Sequence, residues 1–324
     1  AGAMAVLLKD AIKPNLMQAL EHTPVFVHAG PFANIAHGNS SIIADLIALK
    51  LSDYVVTESG FGVDCGMEKF MDIKCRYSGL KPDCVVIVCT VRALKMHSGK
   101  FKVIPGKPLD KGLIEENIKA LKEGSCNLQK HIENAKYFGI PVVVAINKFK
   151  TDTEKEIETL KELSLKYGAD DVEVSEVWEK GGEGGIGLAE KVIKASEKEK
   201  NFKFLYEDNW DIKKKIETIA TKIYGAGKIE YSPLAEKKIK TYTKWGFANL
   251  PVCMAKTHLS LSHDPNLKGR PDGFTLPIRD IRVSAGAGFI YPLCGEMRTM
   301  PGLPSHPAGE KVDIDKDGKV VGLF

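Results

Sequence analysis

The run IPVVVAINKFKTDT, residues 140–153, decides the fold. Its first half is apolar and β-branched without polar alternation, which predicts a strand buried on both faces in a parallel sheet. It ends in Asn147-Lys148, carries Asp152 four residues beyond Lys148, and gives way to a helical pattern over 153–167. A buried strand that ends in polar residues and feeds a helix is half of a βαβ unit. The same grammar recurs in TPVFV, ending at Val27, in YVVTE (54–58) and in CVVIVCTV (84–91), with helical patterns over 41–51 and 115–137. A doubly wound parallel sheet is therefore expected, with its ligands at the carboxyl ends of the strands. Farther along the chain, a helix is predicted over 233–244, a strand in LPVCMAKT (250–257) and an Asp-Gly hairpin in DIDKDGKVVGLF.

The strand ends are where chemistry gathers. Asn147-Lys148 followed by Asp152 is similar to the strand-end Asn-Lys-x-Asp with which P-loop GTPases read guanine. Here the spacing is longer and Phe149 intervenes, which suits stacking on a purine. Asn147 also suits a plain turn, and Asp152 or Thr153 a helix N-cap. TESGFGVDCG (57–66) delivers Glu58 and Asp64 beside two glycines, a pattern that holds Mg²⁺ near phosphates or simply makes a Gly-rich turn. HAGPFANIAHGNSS (28–41) offers His28, His37 and the amides after Gly38-Asn39-Ser40 at a helix start, an anion site in outline. TVRALKMHSG (90–99) adds Arg92, Lys95 and His97. Trp178, Phe204, Tyr206 and Trp210 sit near the Gly-rich EKGGEGG (179–185) and could stack a flat heterocycle or fill a core. No GxxxxGK[ST] phosphate loop is present.

The bulk numbers narrow the class. The 324 residues suggest about two domains. A net charge of +4 is too weak to argue for nucleic acid and fits small anionic ligands. Seven cysteines without a CxxC pair read as reduced, buried thiols of a cytoplasmic protein. No apolar run approaches the roughly 20 residues of a membrane span.

With HAGPFANIAHGNSS, VVTESGFGVDCGMEKF, TVRALKMHSG, NKFKTDT, LPVCMAKTHLSLSHDP and MPGLP in hand, the chain resembles formate–tetrahydrofolate ligase over essentially its whole length. It resembles the C-terminal part of that enzyme, because the family's P-loop lies upstream of the stretch matched here. The resemblance implies a P-loop NTPase-like parallel sheet with helices on both faces, incomplete at its N-terminus, plus two smaller α/β segments. The implied divisions are 1–152 for the rest of the nucleotide domain, 153–230 for a middle segment with folate-stacking aromatics, and 231–324 for a C-terminal segment that adds to the adenine site. It implies ATP-dependent formylation of tetrahydrofolate through formyl phosphate, with ATP, Mg²⁺, tetrahydrofolate and a monovalent cation as cofactor and substrate candidates. His37, His28 and Arg92 border the formyl and phosphate site, with Gly38, Asn39 and Ser40 supplying backbone donors. Glu58 and Asp64 are the metal candidates. Asn147, Phe149 and Asp152, with Met300, Pro301 and Gly302, hold adenine, and Trp178 stacks the pterin. An N-terminal P-loop piece is expected as a partner, in an oligomer, with no nucleic acid or membrane partner. The alternative is a non-catalytic subunit that binds folate or nucleotide.

Overall fold

A computed structural model describes residues 8–30, 33–104, 107–295, 306, 313–314, 316–317 and 320–321. The expected parallel sheet is there: β3 (Val85–Cys89), β4 (Val142–Asn147) and β5 (Asp171–Ser175) lie side by side in that order, all parallel. The strands β1 (Asn15–Gln18) and β2 (Pro24–Val27) form a separate antiparallel hairpin. A second sheet holds β6 (Lys228–Tyr231), β7 (Thr275–Ser284) and β8 (Phe289–Cys294), with β6–β7 parallel and β7–β8 antiparallel. The segments Asp313–Ile314 and Val320–Val321 pair antiparallel, as the Asp-Gly pattern predicts.

β4 is the axis of the fold. Val142 to Ile146 are buried without exception, because both strand edges are paired and both faces are covered. The helix that follows, α5 in chain order (Glu154–Lys166), starts at Thr153 with a capping box: Thr153 accepts from the Glu156 amide while Glu156 accepts from the Thr153 amide. Before it come α1 (Ile42–Leu51), capped by Ser41, and α2 (Val91–His97), capped by Thr90. The helix expected over 115–137 is two helices, α3 (Ile118–Gly124) and α4 (Cys126–Lys136). Gly124, the last residue of α3, lies so close to the Leu94 carbonyl of α2 that any Cβ would collide with it.

Two other expectations change. TPVFV is a strand, but it pairs with Asn15–Gln18 across a short turn fixed by Ala19 and Thr23 rather than joining the parallel sheet. YVVTE is not a strand; Val56 is 92% exposed, and extended backbone without a ladder partner leaves its amides to water. LPVCMAKT makes only isolated bridges, Val252 to Ile290 and Ala255 to Leu293, beside β8. On β3 the side chains alternate, and the outward Val88 is 66% exposed with Val86 beside it.

The loop before β7 is docked onto α2 by a neutral histidine. His97 Nδ1 accepts the Gly269 amide at 3.2 Å, and burial, then His131 and Lys268, push its pKa down to about 4. Between pH 6.5 and 4 the unfolded chain therefore binds a proton that the folded chain refuses. The stability from keeping His97 neutral is fully present above 6.5 and is lost as pH falls through 4, by about 3 kcal/mol. His97→Gln can accept the same bond but cannot titrate, so denaturant melts of this variant should show a flatter pH dependence across that window. Parallel profiles for the two proteins would refute the assignment.

Candidate functional site

At the carboxyl ends of β4 and β5 a cavity of about 260 Å³ is lined by Arg92, Lys148, Phe149, Lys150, Thr151, Glu176, Trp178 and Glu179. The parallel register produces it: Asn147 pairs with Ser175, so the residues just after each strand emerge side by side. The Arg92 guanidinium lies over the Phe149 ring at 4.5 Å, and its Nη2 donates to Thr151 at 3.4 Å. Trp178 is 83% exposed, an unusual state for the largest side chain in the code. Lys148 is held by Glu176 at 3.3 Å and Glu154 at 3.4 Å, so its cationic head is fixed at the rim. Asp152 turns back on the loop and accepts the Phe149 amide at 2.9 Å, and burial raises its carboxyl pKa. Asn147 sits at the strand end, behind this cavity, and is not among its lining residues.

The stretch 28–41 is anchored from below by two buried lysines. Lys69 donates to the Asn34 carbonyl at 3.0 Å, and Lys74 to the Ser40 carbonyl at 2.6 Å. Lys74 also pairs with Asp45 in the first turn of α1 at 2.5 Å. Gly38 is glycine because the Lys74 stem packs where a Cβ would stand. Asn39 adopts φ 47°, a left-handed turn that asparagine tolerates, and its side-chain oxygen accepts from Ser59 at 2.7 Å, tying this loop to TESGFG. Ser40 donates to the His28 carbonyl at 3.2 Å.

The two histidines differ. His28 Nε2 lies 2.8 Å from the Ala11 carbonyl, which can only accept, so Nε2 carries the proton. Its Nδ1 meets the Ser41 hydroxyl at 2.6 Å, so both ring nitrogens serve the scaffold. His37 packs on Phe289, ring centroids 4.6 Å apart, and its buried Nδ1 has no hydrogen-bond partner. Burial, opposed by a hydrogen bond to the Ile35 backbone and aided by Lys69 and Lys74, lowers its pKa.

The two metal candidates part company. Glu58 lies on exposed chain, whereas Asp64 is buried and paired with Lys256 at 2.6 Å, with His131 at 3.9 Å. Among the described residues no three His, Cys, Asp or Glu side chains gather as metal ligands would. Met300, Pro301 and Gly302 lie outside the described residues.

The sequence model of the family described as formate–tetrahydrofolate ligase matches residues 1–324. The chain belongs to the formate–tetrahydrofolate ligase family. It is 59% identical over 324 residues to the formate–tetrahydrofolate ligase of Desulforamulus reducens, covering all of this chain and 57% of that protein. It is 60% identical over 327 residues to the human cytoplasmic C-1-tetrahydrofolate synthase, covering 35% of it. The mouse mitochondrial monofunctional C1-tetrahydrofolate synthase is 59% identical, with 34% of its length covered. The chain thus spans between a third and three fifths of these relatives.

Within this member of the ligase family, sequence reasoning missed the supports of the site. Lys69, Lys74 and Lys256 look like surface charge in the sequence, yet all three are buried. No signal pointed to this: in VDCGMEKFMDIKCR (63–76) Asp64, Glu68, Asp72 and Arg76 recur every four residues and look like one solvated helix face. The structure has two π-helical turns there, Val63–Met67 and Phe70–Lys74, and buries five charged side chains over 63–74: Asp64, Asp72 and Lys74 in the turns, and Glu68 and Lys69 between them. Glu176, which orients Lys148, was also missed; it lies just before the Gly-rich 179–185 and was given no role. Among the described residues no helix is long and apolar enough to cross a membrane, and all seven cysteines are free thiols.

Proposed function

We propose that this chain is the folate-binding and formyl-handling portion of an ATP-dependent formate–tetrahydrofolate ligase, completed by an N-terminal piece with a phosphate loop. The single observation that carries the reading is the cavity shared by Phe149 and Trp178. At about 260 Å³ it lies below the roughly 300–1,000 Å³ that enclose a whole drug-sized ligand, so it suits one bicyclic head group. Two aromatics on one cavity argue for one heterocycle between them, and the pterin fits its surroundings better than adenine does. Glu176 and Glu179 can accept from an amino-pyrimidine edge. Arg92, Lys148 and Lys150 suit the anionic tail of a folate. Phe149 therefore joins Trp178 on the pterin, and the adenine contact is left to Met300, Pro301 and Gly302 with Asn147 behind the cavity.

In this reading a formate oxygen attacks the γ-phosphorus of ATP, ADP leaves, and formyl phosphate forms. N10 of tetrahydrofolate then attacks the formyl carbon and phosphate leaves. Residues 37–41 hold the anionic end by backbone donors, and the neutral His37 ring can donate to an oxygen as negative charge returns to it. Mg²⁺ does not fit Glu58 and Asp64 as a pair, because Asp64 already neutralises Lys256; no step is routed through a metal on this chain. The exposed apolar residues Val86, Val88, Leu46, Leu49, Leu16 and Met17 give the N-terminal piece a surface to cover. Free thiols and the human cytoplasmic relative support a cytoplasmic protein, beside one mitochondrial relative in the mouse.

Two results test this. Pure 324-residue chain should make no 10-formyltetrahydrofolate from formate, ATP and tetrahydrofolate, and activity should appear on adding the N-terminal P-loop portion of a relative. Turnover by the chain alone would overturn the split; folate binding with no turnover in the complemented protein would favour the non-catalytic binding subunit. Separately, Trp178→Ala or Phe149→Ala should weaken tetrahydrofolate binding by about 1–3 kcal/mol, the scale of a lost stacking contact on a flat base, and leave ATP affinity unchanged. Calorimetry showing the loss on ATP instead would return Phe149 to the adenine.

A further inference from the structure

Lys69 is 1% exposed. Its ammonium carries three N–H donors, and it donates to the Asn34 carbonyl at 3.0 Å. Among the described residues no carboxylate comes within 4 Å of it, in contrast to the buried lysines near it: Lys74 has Asp45 at 2.5 Å, Lys95 has Glu156 at 2.5 Å, and Lys256 has Asp64 at 2.6 Å. The adjacent Glu68 does not fill the gap. Burial, reinforced by the neighbouring Asp72 and opposed by Lys69 itself, raises its carboxyl pKa well above the ordinary range. Lys215 also lacks a carboxylate, but the Ala248 and Leu250 carbonyls take two of its donors at 2.9 and 3.0 Å, and burial pushes its pKa down to about 8. Lys130 is held by the Lys222 carbonyl at 2.5 Å and is likewise lowered by burial.

What distinguishes Lys69 is the loop it is bonded to, at Asn34, three residues before His37. His37 feels its charge, together with that of Lys74, and the His37 Nδ1 is buried without a partner. Phe289 closes the other side of that imidazole. Gly38, Asn39 and Ser40 follow directly, leading into the capped start of α1. A buried cation with donors to spare, an unpartnered ring nitrogen and a helix-start loop share one spot. A buried charge without a counter-ion is costly, and an arriving anion removes that cost.

We propose that Lys69 is the counter-ion of the substrate anion: its ammonium and the His37 ring together take the oxygens of a small carboxylate or phosphate, the shared chemistry of formate and of the phosphoryl end of formyl phosphate. This rests on the reading of residues 28–41 as the anion-gathering loop. It adds to that loop a charged side chain from the π-helical segment beneath it.

The test uses the 324-residue chain with isotope-labelled histidine. Inorganic phosphate and, separately, formate are titrated while the His37 and His28 ring signals are followed by NMR. A saturable shift of His37, with His28 unmoved, is expected with at least one of the two anions. Lys69→Met should weaken that binding about 10- to 100-fold, the loss of one charge-assisted hydrogen bond, and Lys69→Arg should restore it. No saturable shift in the wild-type chain, or a folded Lys69→Met that binds as tightly as wild type, would overturn the proposal. If Lys69→Met does not fold, the wild-type and Lys69→Arg titrations decide it, with saturable binding in both as support and its absence in either as refutation. Ligase turnover is not read, so a failure of the folate reading leaves this result standing on its own.

Discussion

In the assembled enzyme, His37→Ala is expected to cut kcat by about 10²–10³-fold, the usual cost of removing one donor to a developing oxyanion, while the KM for tetrahydrofolate barely moves. The split follows from when the contact matters. A neutral imidazole interacts weakly with a bound acyl phosphate and strongly with the phosphate dianion that leaves, so its removal acts on the transition state more than on binding. His28→Ala should behave differently. Both of its ring nitrogens are occupied, by Ala11 and by the N-cap residue Ser41, so its loss should loosen the start of α1 and lower thermal stability before it touches kcat. Steady-state kinetics with a melting curve for each variant check this. If His28→Ala loses kcat and His37→Ala does not, the roles are reversed; if neither does, residues 28–41 are scaffold.

The second large effect is on stability. Lys256→Met should destabilise the fold by about 3–5 kcal/mol, because it leaves Asp64 charged and buried without its partner. The pair is 2.6 Å apart with both side chains enclosed, and Lys256 also donates to the Thr257 and Ser260 carbonyls. It fastens the TESGFGVDCG loop to the AKTHLSLS loop, where Phe61 stacks on His258 at 4.2 Å. The double variant Lys256→Met/Asp64→Leu removes both charges and should recover much of the loss. The Asp64 carboxyl pKa is lowered, since Lys256 and His131 outweigh burial; its contribution is therefore present above its ordinary range and disappears only as pH falls below it. Urea melts of wild type, single and double variants measure the coupling. A single variant as stable as wild type would show the pair to be dispensable.

The parallel sheet was legible because β3 and β4 are continuous β-branched runs; β4 is buried on both faces, whereas β3 leaves Val86 and Val88 exposed on one. β5 was missed: DVEVS alternates with period two, but its charged residues made it look like part of the helical, Lys/Glu-rich texture around it. It is a strand because β4 offers an edge to pair with, and Glu173 is neutralised by Lys191 at 2.8 Å. The opposite error was made at YVVTE, whose β propensity is real but which finds no ladder among the described residues. Local preference supplies the tendency; a hydrogen-bonded neighbour supplies the strand.

The chemistry divides in the same way. Composition and spacing by themselves determined that Asn147-Lys148 closes a buried strand, that helices begin near Ser41 and at Asp152 or Thr153, and that the chain resembles formate–tetrahydrofolate ligase, because these are properties of short contiguous stretches. Only the tertiary structure decided that Phe149 and Trp178, 29 positions apart in the chain, line one cavity. The parallel register sets Asn147 beside Ser175 and so brings the following loops together. Only the tertiary structure, again, paired Asp64 with Lys256 and turned Lys69 from apparent surface charge into a buried cation. Burial changes what a charge can do, and burial depends on which distant segments close over it, so no reading of neighbours along the chain could have assigned those roles.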